Sequence, residues 1–125
     1  MKAFNAPFFV YGTLSSPVTA LTLNSALDFI RDKHKNRKII AIDSSLGKSE
    51  DVGKIRLIYG GIRPGLATGK RLPVTGDLSV TATVAPKSRR DALSSVRLGF
   101  IYRLSEQIAR TIYRASQKFS DAKRG

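Results

Sequence analysis

The 125-residue sequence contains no cysteine and no tryptophan, and its only histidine is His34. The absence of cysteine excludes disulfide bonds, thiolate zinc sites, iron–sulfur clusters and cysteine nucleophiles. A single histidine leaves a serine–histidine triad only one base, and it cannot form an imidazole-rich metal site by itself. Any catalysis therefore falls to carboxylates, hydroxyls and lysines, and we expect neither a metal nor a cofactor.

Long apolar runs are also missing. No stretch approaches the roughly 20 apolar residues that span a bilayer, and the N-terminus lacks the apolar region of a signal peptide. The composition, 42% hydrophobic and 25% charged, is typical of a folded chain. We therefore expect a single cytoplasmic domain over residues 1–125, without membrane contact.

Acidic residues are scarce, since nine of them face 22 lysines and arginines, which gives a net charge of +13. Seven of the thirteen excess positive charges lie in residues 86–125. This imbalance favours a partner of opposite charge, such as nucleic acid or an acidic protein.

The hydrophobic pattern predicts an α/β fold built from strands and amphipathic helices. A strand, a helix with apolar positions Leu23, Leu27 and Ile30, and a second strand form a predicted βαβ unit. The predicted elements, in chain order, are a strand at 7–12, a helix from Asn24, a strand at 38–43, a strand at 54–59, a glycine-rich loop at 61–76, a strand at 77–84 and a long basic helix that begins near Ser88.

Asp43 is the principal candidate for chemistry, because it follows the apolar run Ile39–Ile42 at the predicted carboxyl end of a strand. Ligand crevices of open α/β sheets form at that end. A partly desolvated carboxylate there suits acid–base work. The alternative interpretation is that Asp43 only caps the following turn through backbone amides.

The glycine-rich loop resembles a phosphate-binding loop at Gly69-Lys70, but Arg71 replaces the required Ser or Thr and a strand follows instead of a helix. Its glycines favour close approach of a substrate chain, with Arg63, Lys70 and Arg71 supplying positive charge. An ordinary surface loop is the equally weighted alternative.

The last helix carries basic residues that include Arg97, Arg103 and Arg110. Together with Arg63 and Arg71 they form a candidate nucleic-acid or anion-binding set. The same spacing is also that of the solvated face of an amphipathic helix, which is the simpler interpretation.

Several motifs together resemble the sporulation proteins of the YyaC type, which are similar to the germination protease. The resemblance runs in order from about Phe9 to Ile112. It rests on the following segments: Val10–Leu14, Pro17-Val18, Ile39–Gly53, Pro64-Gly65, Gly69-Lys70, Leu72-Pro73 and Gly76-Asp77.

This resemblance implies a three-layer α/β/α sandwich of the phosphorylase/hydrolase type and a peptidase-like function in sporulation, located in the forespore. It places Asp43 at one of two aspartates of an atypical aspartic-peptidase pair. A protein or peptide substrate is then expected against the loop residues, namely Pro64, Gly65, Gly69, Lys70, Gly76 and Asp77.

The chain also departs from the family pattern. The second family aspartate belongs to an upstream loop, and the expectation is that this chain lacks it together with the first strand and helix. Thr19 replaces the histidine of the Pro-Val-His-Ala segment, and Ser44-Ser45 replaces an Ala-Cys pair. Impaired catalysis is therefore expected, with an exposed strand edge that favours a homo-oligomer. The alternative function is a noncatalytic basic module that binds nucleic acid or an acidic protein.

Overall fold

The computed structural model describes residues 8–63, 74–88 and 96–124. The elements, in chain order, are α1 (Leu23–Lys33), β1 (Ile40–Gly47), a 3-10 turn (Ser49–Asp51), β2 (Ile55–Tyr59), β3 (Leu78–Pro86) and α2 (Leu98–Arg124). The strands form one sheet in the order β1-β3-β2, in which β3 is parallel to β1 and antiparallel to β2. The predicted α/β class is thus confirmed as a mixed sheet with two helices.

The hydrophobic core lies between the central strand and the last helix. Val80, Ala82 and Val84 alternate along β3, while Leu104 and Ile108 are four residues apart on α2, and all five are buried together. The two spacings bring one face of a strand against one face of a helix. None of the helices in the described residues is long and apolar enough to cross a membrane.

The predicted first helix is confirmed. Leu23 and Leu27 are its buried residues, and Thr22 is its N-cap residue. The Thr22 hydroxyl accepts a hydrogen bond from the Thr19 amide at 2.9 Å instead of capping the helix amides. The helix ends before His34, and Asn36 then adopts a left-handed conformation with φ of 61°.

The strand predicted at 7–12 is wrong, because residues 8–12 form no strand. The side chains of this run pack against the C-terminal end of α1. The rings of Phe9 and His34 lie 4.3 Å apart, and Tyr11 Oη lies 2.7 Å from His34 Nε2. The aromatic residues thus contact a helix end, so the predicted βαβ unit loses its first strand.

Two predicted boundaries are also wrong. β1 continues four residues beyond Asp43 to Gly47, since the polar pair Ser44-Ser45 is held in the ladder by its pairing with Ala82 and Thr83. The long helix begins at Leu98, since Val96 is not helical, and most of its predicted first turns lie outside the described residues.

β1 and β2 are the outer strands of the sheet in the described part of the chain. Apolar side chains on these strands remain exposed, with Ile42 at 49%, Leu57 at 59% and Tyr59 at 90% of their full accessibility. These positions leave part of one sheet face uncovered by the described residues.

Candidate functional site

Asp43 lies in the middle of β1, half-buried, with Thr81 of β3 as its register partner. The prediction that Asp43 ends the strand is therefore wrong. Because side chains alternate along a strand, Asp43 shares one face of the sheet with Ala41 and Ser45. The exposed neighbours Ile42 and Ser44 belong to the opposite face.

A row of three polar residues crosses the sheet at Asp43. Thr81 pairs with Asp43 on one side and with Arg56 of β2 on the other, so all three side chains share one face. The backbones of Asp43 and Arg56 are two strand spacings apart, about 10 Å. A hydroxyl thus stands between an anionic and a cationic group, which is a suitable arrangement for a polar ligand such as a peptide.

The next row adds two hydroxyl groups on the same face. Ser45 Oγ lies 3.4 Å from Thr83 Oγ1 and donates a hydrogen bond to the Ala82 carbonyl oxygen at 3.4 Å. His34, the base that a serine nucleophile would need, is instead in contact with Tyr11. The Thr83 hydroxyl is therefore buried and the Ser45 hydroxyl is bonded within the sheet, and the geometry does not make Ser45 a serine–histidine nucleophile.

Asp51 connects the 3-10 turn to this face by ion pairs. Its carboxylate lies 2.9 Å from Lys54 Nζ and 3.7 Å from an Arg56 Nη atom. The hydrogen bond from Lys54 and the surrounding positive charges lower the pKa of Asp51 below its ordinary value, against the opposing effect of partial burial. Asp51 therefore lies near Arg56 as an anion, and it is a poor proton donor.

The end of the glycine-rich loop contacts β1 next to Asp43. Gly76 has φ of +98°, and a Cβ atom added there would lie 2.8 Å from the Ala41 Cβ. Ala41 is on the Asp43 face, two residues away, so Gly76 lies over that face. Ile62 and Thr75 pair with each other through two backbone hydrogen bonds of 2.7 and 2.9 Å, which closes the base of the loop.

Asp77 has a structural role at the same place. Its Oδ2 accepts a hydrogen bond from the Ile39 amide at 2.8 Å, and its own amide donates to the Ile39 carbonyl oxygen at 2.7 Å. The Asp77 carboxylate, which the sequence predicts to bind substrate, is therefore hydrogen-bonded to the residue that precedes β1. The other predicted loop residues lie outside the described residues, namely Pro64, Gly65, Gly69, Lys70 and Arg71.

The predicted anion-binding residues divide between several places. Arg97 and Arg103 come together beside an apolar groove at the start of α2. Arg110 lies about two turns further along α2, where it approaches Glu106 at 3.9 Å. Arg63 is exposed at the base of the glycine-rich loop.

Sequence reasoning missed the residues that surround Asp43. The alternation of Ser79, Thr81 and Thr83 along β3 was visible as the polar side of a strand. Nothing local indicated that Arg56 and Asp51 would join that side, because their placement depends on strand pairing. Within the described parts of the chain, no three His, Asp or Glu side chains are grouped in a way that could hold a metal ion.

Comparison with known proteins identifies the family. The family model described as "Protein of unknown function (DUF1256)" matches residues 1–111. The protein "Uncharacterized protein YyaC" of Bacillus subtilis (strain 168) is 34% identical over 104 residues, which are 82% of this chain and 51% of that protein. The chain thus spans about half the length of the curated relative that it matches. No solved structure matches the chain. The resemblance found in the motifs is therefore confirmed, and the chain belongs to the DUF1256 family as a YyaC-type protein.

Proposed function

We propose that this chain is a sporulation-associated, germination-protease-like protein that binds a peptide on the sheet face around Asp43. The row formed by Asp43, Thr81 and Arg56 is the observation that carries the proposal, because it sets an acid–base group beside groups that bind a polar chain. The proposal includes the three-layer α/β/α sandwich that the family resemblance implies, and action in the forespore.

The substrate would lie across the strands, with its backbone near the half-buried residues Ser45 and Thr81. Asp43 would exchange a proton with the attacking water or with the leaving amine. Arg56, which lies near Asp51, would bind a carbonyl oxygen or an acidic side chain of the substrate.

We expect this form of the protein to hydrolyse peptides slowly. An aspartic mechanism uses two carboxylates, one that activates water and one that protonates the leaving group. Asp51 is the other carboxylate connected to this face through Arg56, and its ion pairs keep it in the ionised form. Asp51 would therefore be poorly suited to protonate the leaving group, which would slow hydrolysis.

The test uses a small acid-soluble spore protein as substrate and three forms of the chain: unchanged, Asp43→Asn and Asp32→Asn. Asp32 is an exposed residue of α1, so its variant makes the same loss of charge away from the sheet. Cleavage is followed by mass spectrometry and binding by fluorescence anisotropy. We expect slow cleavage that Asp43→Asn abolishes and Asp32→Asn preserves, with weaker binding only in Asp43→Asn. Equal binding by all three forms, without cleavage, would contradict the proposal.

A second candidate function is nucleic-acid binding by a noncatalytic basic module. The observation that favours it is a stripe of four exposed basic residues along one side of α2, namely Arg103, Arg110, Arg114 and Lys118. Among the described residues, only Arg110 of this stripe approaches a carboxylate. Such a surface would bind phosphates with an affinity that falls steeply with salt. Double-stranded DNA binding, measured from low to high salt, tests it separately from cleavage.

A further inference from the structure

An apolar groove of about 410 Å³ lies between the end of β3, the 3-10 turn and the start of α2. The groove is shallow and open to solvent. The lining residues are Val52, Val84, Ala85, Pro86, Val96, Arg97, Phe100 and Arg103. Six of these eight side chains are apolar and the other two are arginines, so no acidic side chain is among the described residues that line the groove.

The two arginines give the groove a positive charge. Arg97 precedes the first residue of α2 and Arg103 is one and a half turns into it, and both side chains are exposed. Neither forms an ion pair with a carboxylate among the described residues, whereas Arg56 and Arg110 each approach one. A ligand that offers both an apolar group and a negative charge would therefore match the groove.

The groove also lies beside the end of β3. β2 pairs with β3 only between Leu78 and Ala82, and backbone bonds from Gly53 and Lys54 extend the contact to Thr83. On this side, the last residues of β3, Val84–Pro86, have no strand beside them in the described part of the chain. Val84 and Ala85 are buried and Pro86 has no amide proton, so a ligand would contact this end of β3 through side chains.

We propose that this groove binds an acidic peptide segment of a partner protein, with an apolar anchor side chain placed on the apolar lining beside Val96 and Phe100. Arg97 and Arg103 would pair with acidic residues on either side of the anchor. This surface is distinct from the Asp43 face, so the inference does not depend on the peptidase proposal.

Charge and chemistry favour this occupant over two others. A second copy of this chain would bring a net charge of +13 to a groove that is already positive. Single-stranded nucleic acid is bound through several aromatic side chains, and Phe100 is the only aromatic residue among the described residues that line the groove. An acidic segment with one or two leucines satisfies the apolar lining and both guanidinium groups.

The test is fluorescence anisotropy with a labelled peptide that carries two adjacent leucines flanked on each side by three acidic residues. The unchanged chain is compared with Arg97→Gln, Arg103→Gln and Arg114→Gln. The last variant removes an equal charge from the exposed side of α2, outside the groove. We expect Arg97→Gln and Arg103→Gln each to weaken binding about fivefold and Arg114→Gln less than twofold, because only the first two pair with the peptide.

A second peptide, with serines in place of the leucines, separates the apolar contribution. Loss of the anchor should weaken binding about tenfold or more, and the remaining affinity should disappear at high salt. Equal effects of the three arginine variants, or equal binding of the two peptides, would overturn the proposal. The proposal would also be overturned if single-stranded DNA displaced the labelled leucine peptide more effectively than unlabelled peptide does. Dimerisation of the chain in sedimentation, at concentrations where the peptide no longer binds, would overturn it too. The substituted arginines are exposed, and thermal unfolding of each variant verifies that it is folded.

Discussion

The carboxylate of Asp77 and the backbone amide of Ile39 are joined by a hydrogen bond of 2.8 Å between residues 38 positions apart. The Asp77 amide returns a bond of 2.7 Å to the Ile39 carbonyl oxygen. These two hydrogen bonds hold the residue that precedes β3 next to the residue that precedes β1. They therefore set where the glycine-rich loop meets the Asp43 face.

Replacement of Asp77 by alanine should destabilise the protein. The variant loses the acceptor for the Ile39 amide, and we expect the free energy of unfolding to fall by about 1–2 kcal/mol. Asp77→Asn keeps an oxygen that can accept the same bond, so its loss should be less than half as large. Urea denaturation measures both values, and equal losses for the two variants would show that the hydrogen bond is not the cause.

Gly76→Ala should be more damaging than Gly53→Ala. Both glycines have a positive φ, +98° and +93°, so both substitutions strain the backbone. The new methyl group at position 76 would also meet the Ala41 Cβ at 2.8 Å, whereas nothing lies within 4 Å at position 53. We expect a loss of about 2–4 kcal/mol for Gly76→Ala and about 1 kcal/mol for Gly53→Ala. Similar losses of unfolding free energy for the two variants in urea denaturation would contradict the close packing of Gly76 against Ala41.

Ser79→Ala tests a buried side-chain hydrogen bond at the start of β3. Ser79 is fully buried, and its Oγ donates to the Gly60 carbonyl oxygen at 2.6 Å. Its loss leaves a partly buried carbonyl without this donor, and we expect a cost of about 1–2 kcal/mol. Ser105→Ala is the matched control, because Ser105 is exposed on α2 and bonds only to its own helix at Ile101. That change should cost nothing measurable, since alanine is the better helix former. Equal melting temperatures for the two variants would contradict the prediction.

Asp51→Asn should remove a pH-dependent part of the stability. The hydrogen bond from Lys54 lowers the pKa of Asp51 in the folded state, so folding favours the ionised carboxylate. This stabilisation is complete above the unfolded pKa, about 3.9, and is lost as the pH falls through the lower folded value. The melting temperature of the unchanged chain should thus exceed that of Asp51→Asn at neutral pH, and the difference should shrink below about pH 4.

The control for this measurement is Asp32→Asn on the exposed side of α1, which corrects for the change in net charge. A difference between the unchanged chain and Asp51→Asn that stays constant down to pH 2 would contradict the role of the Lys54 hydrogen bond. A difference that disappears in high salt at neutral pH would instead assign the effect to the general excess of positive charge.

Local pattern was sufficient to locate several elements. The spacing of Leu23, Leu27 and Ile30 located α1, and the alternating runs located β2 and β3 within one or two residues. These signals are local, because the periods of 3.6 and 2 depend only on which side chains one element turns toward the core. The motifs between Val10 and Asp77 were likewise sufficient to identify the family.

Long-range contacts decided the elements that the sequence predicted wrongly. The run at residues 8–12 has the composition of a strand, yet Phe9 and Tyr11 pack on His34 at the end of α1. Ser44 and Ser45 look like the end of a strand, yet pairing with β3 carries β1 on to Gly47. The composition of a segment gives it a preference for strand or loop, but the segments that it contacts in the fold determine which structure it adopts.

The sequence by itself determined the α/β class, the family and Asp43 as a candidate, because these follow from periodicity and from motifs within single segments. Only the tertiary structure placed Thr81 and Arg56 in the row of Asp43 and brought Arg97 and Arg103 to one groove. The first arrangement needs a parallel and an antiparallel register on the same strand, and the second needs α2 beside the end of β3. Neither relation is encoded in local spacing, because each depends on how segments distant in the chain share one hydrophobic core.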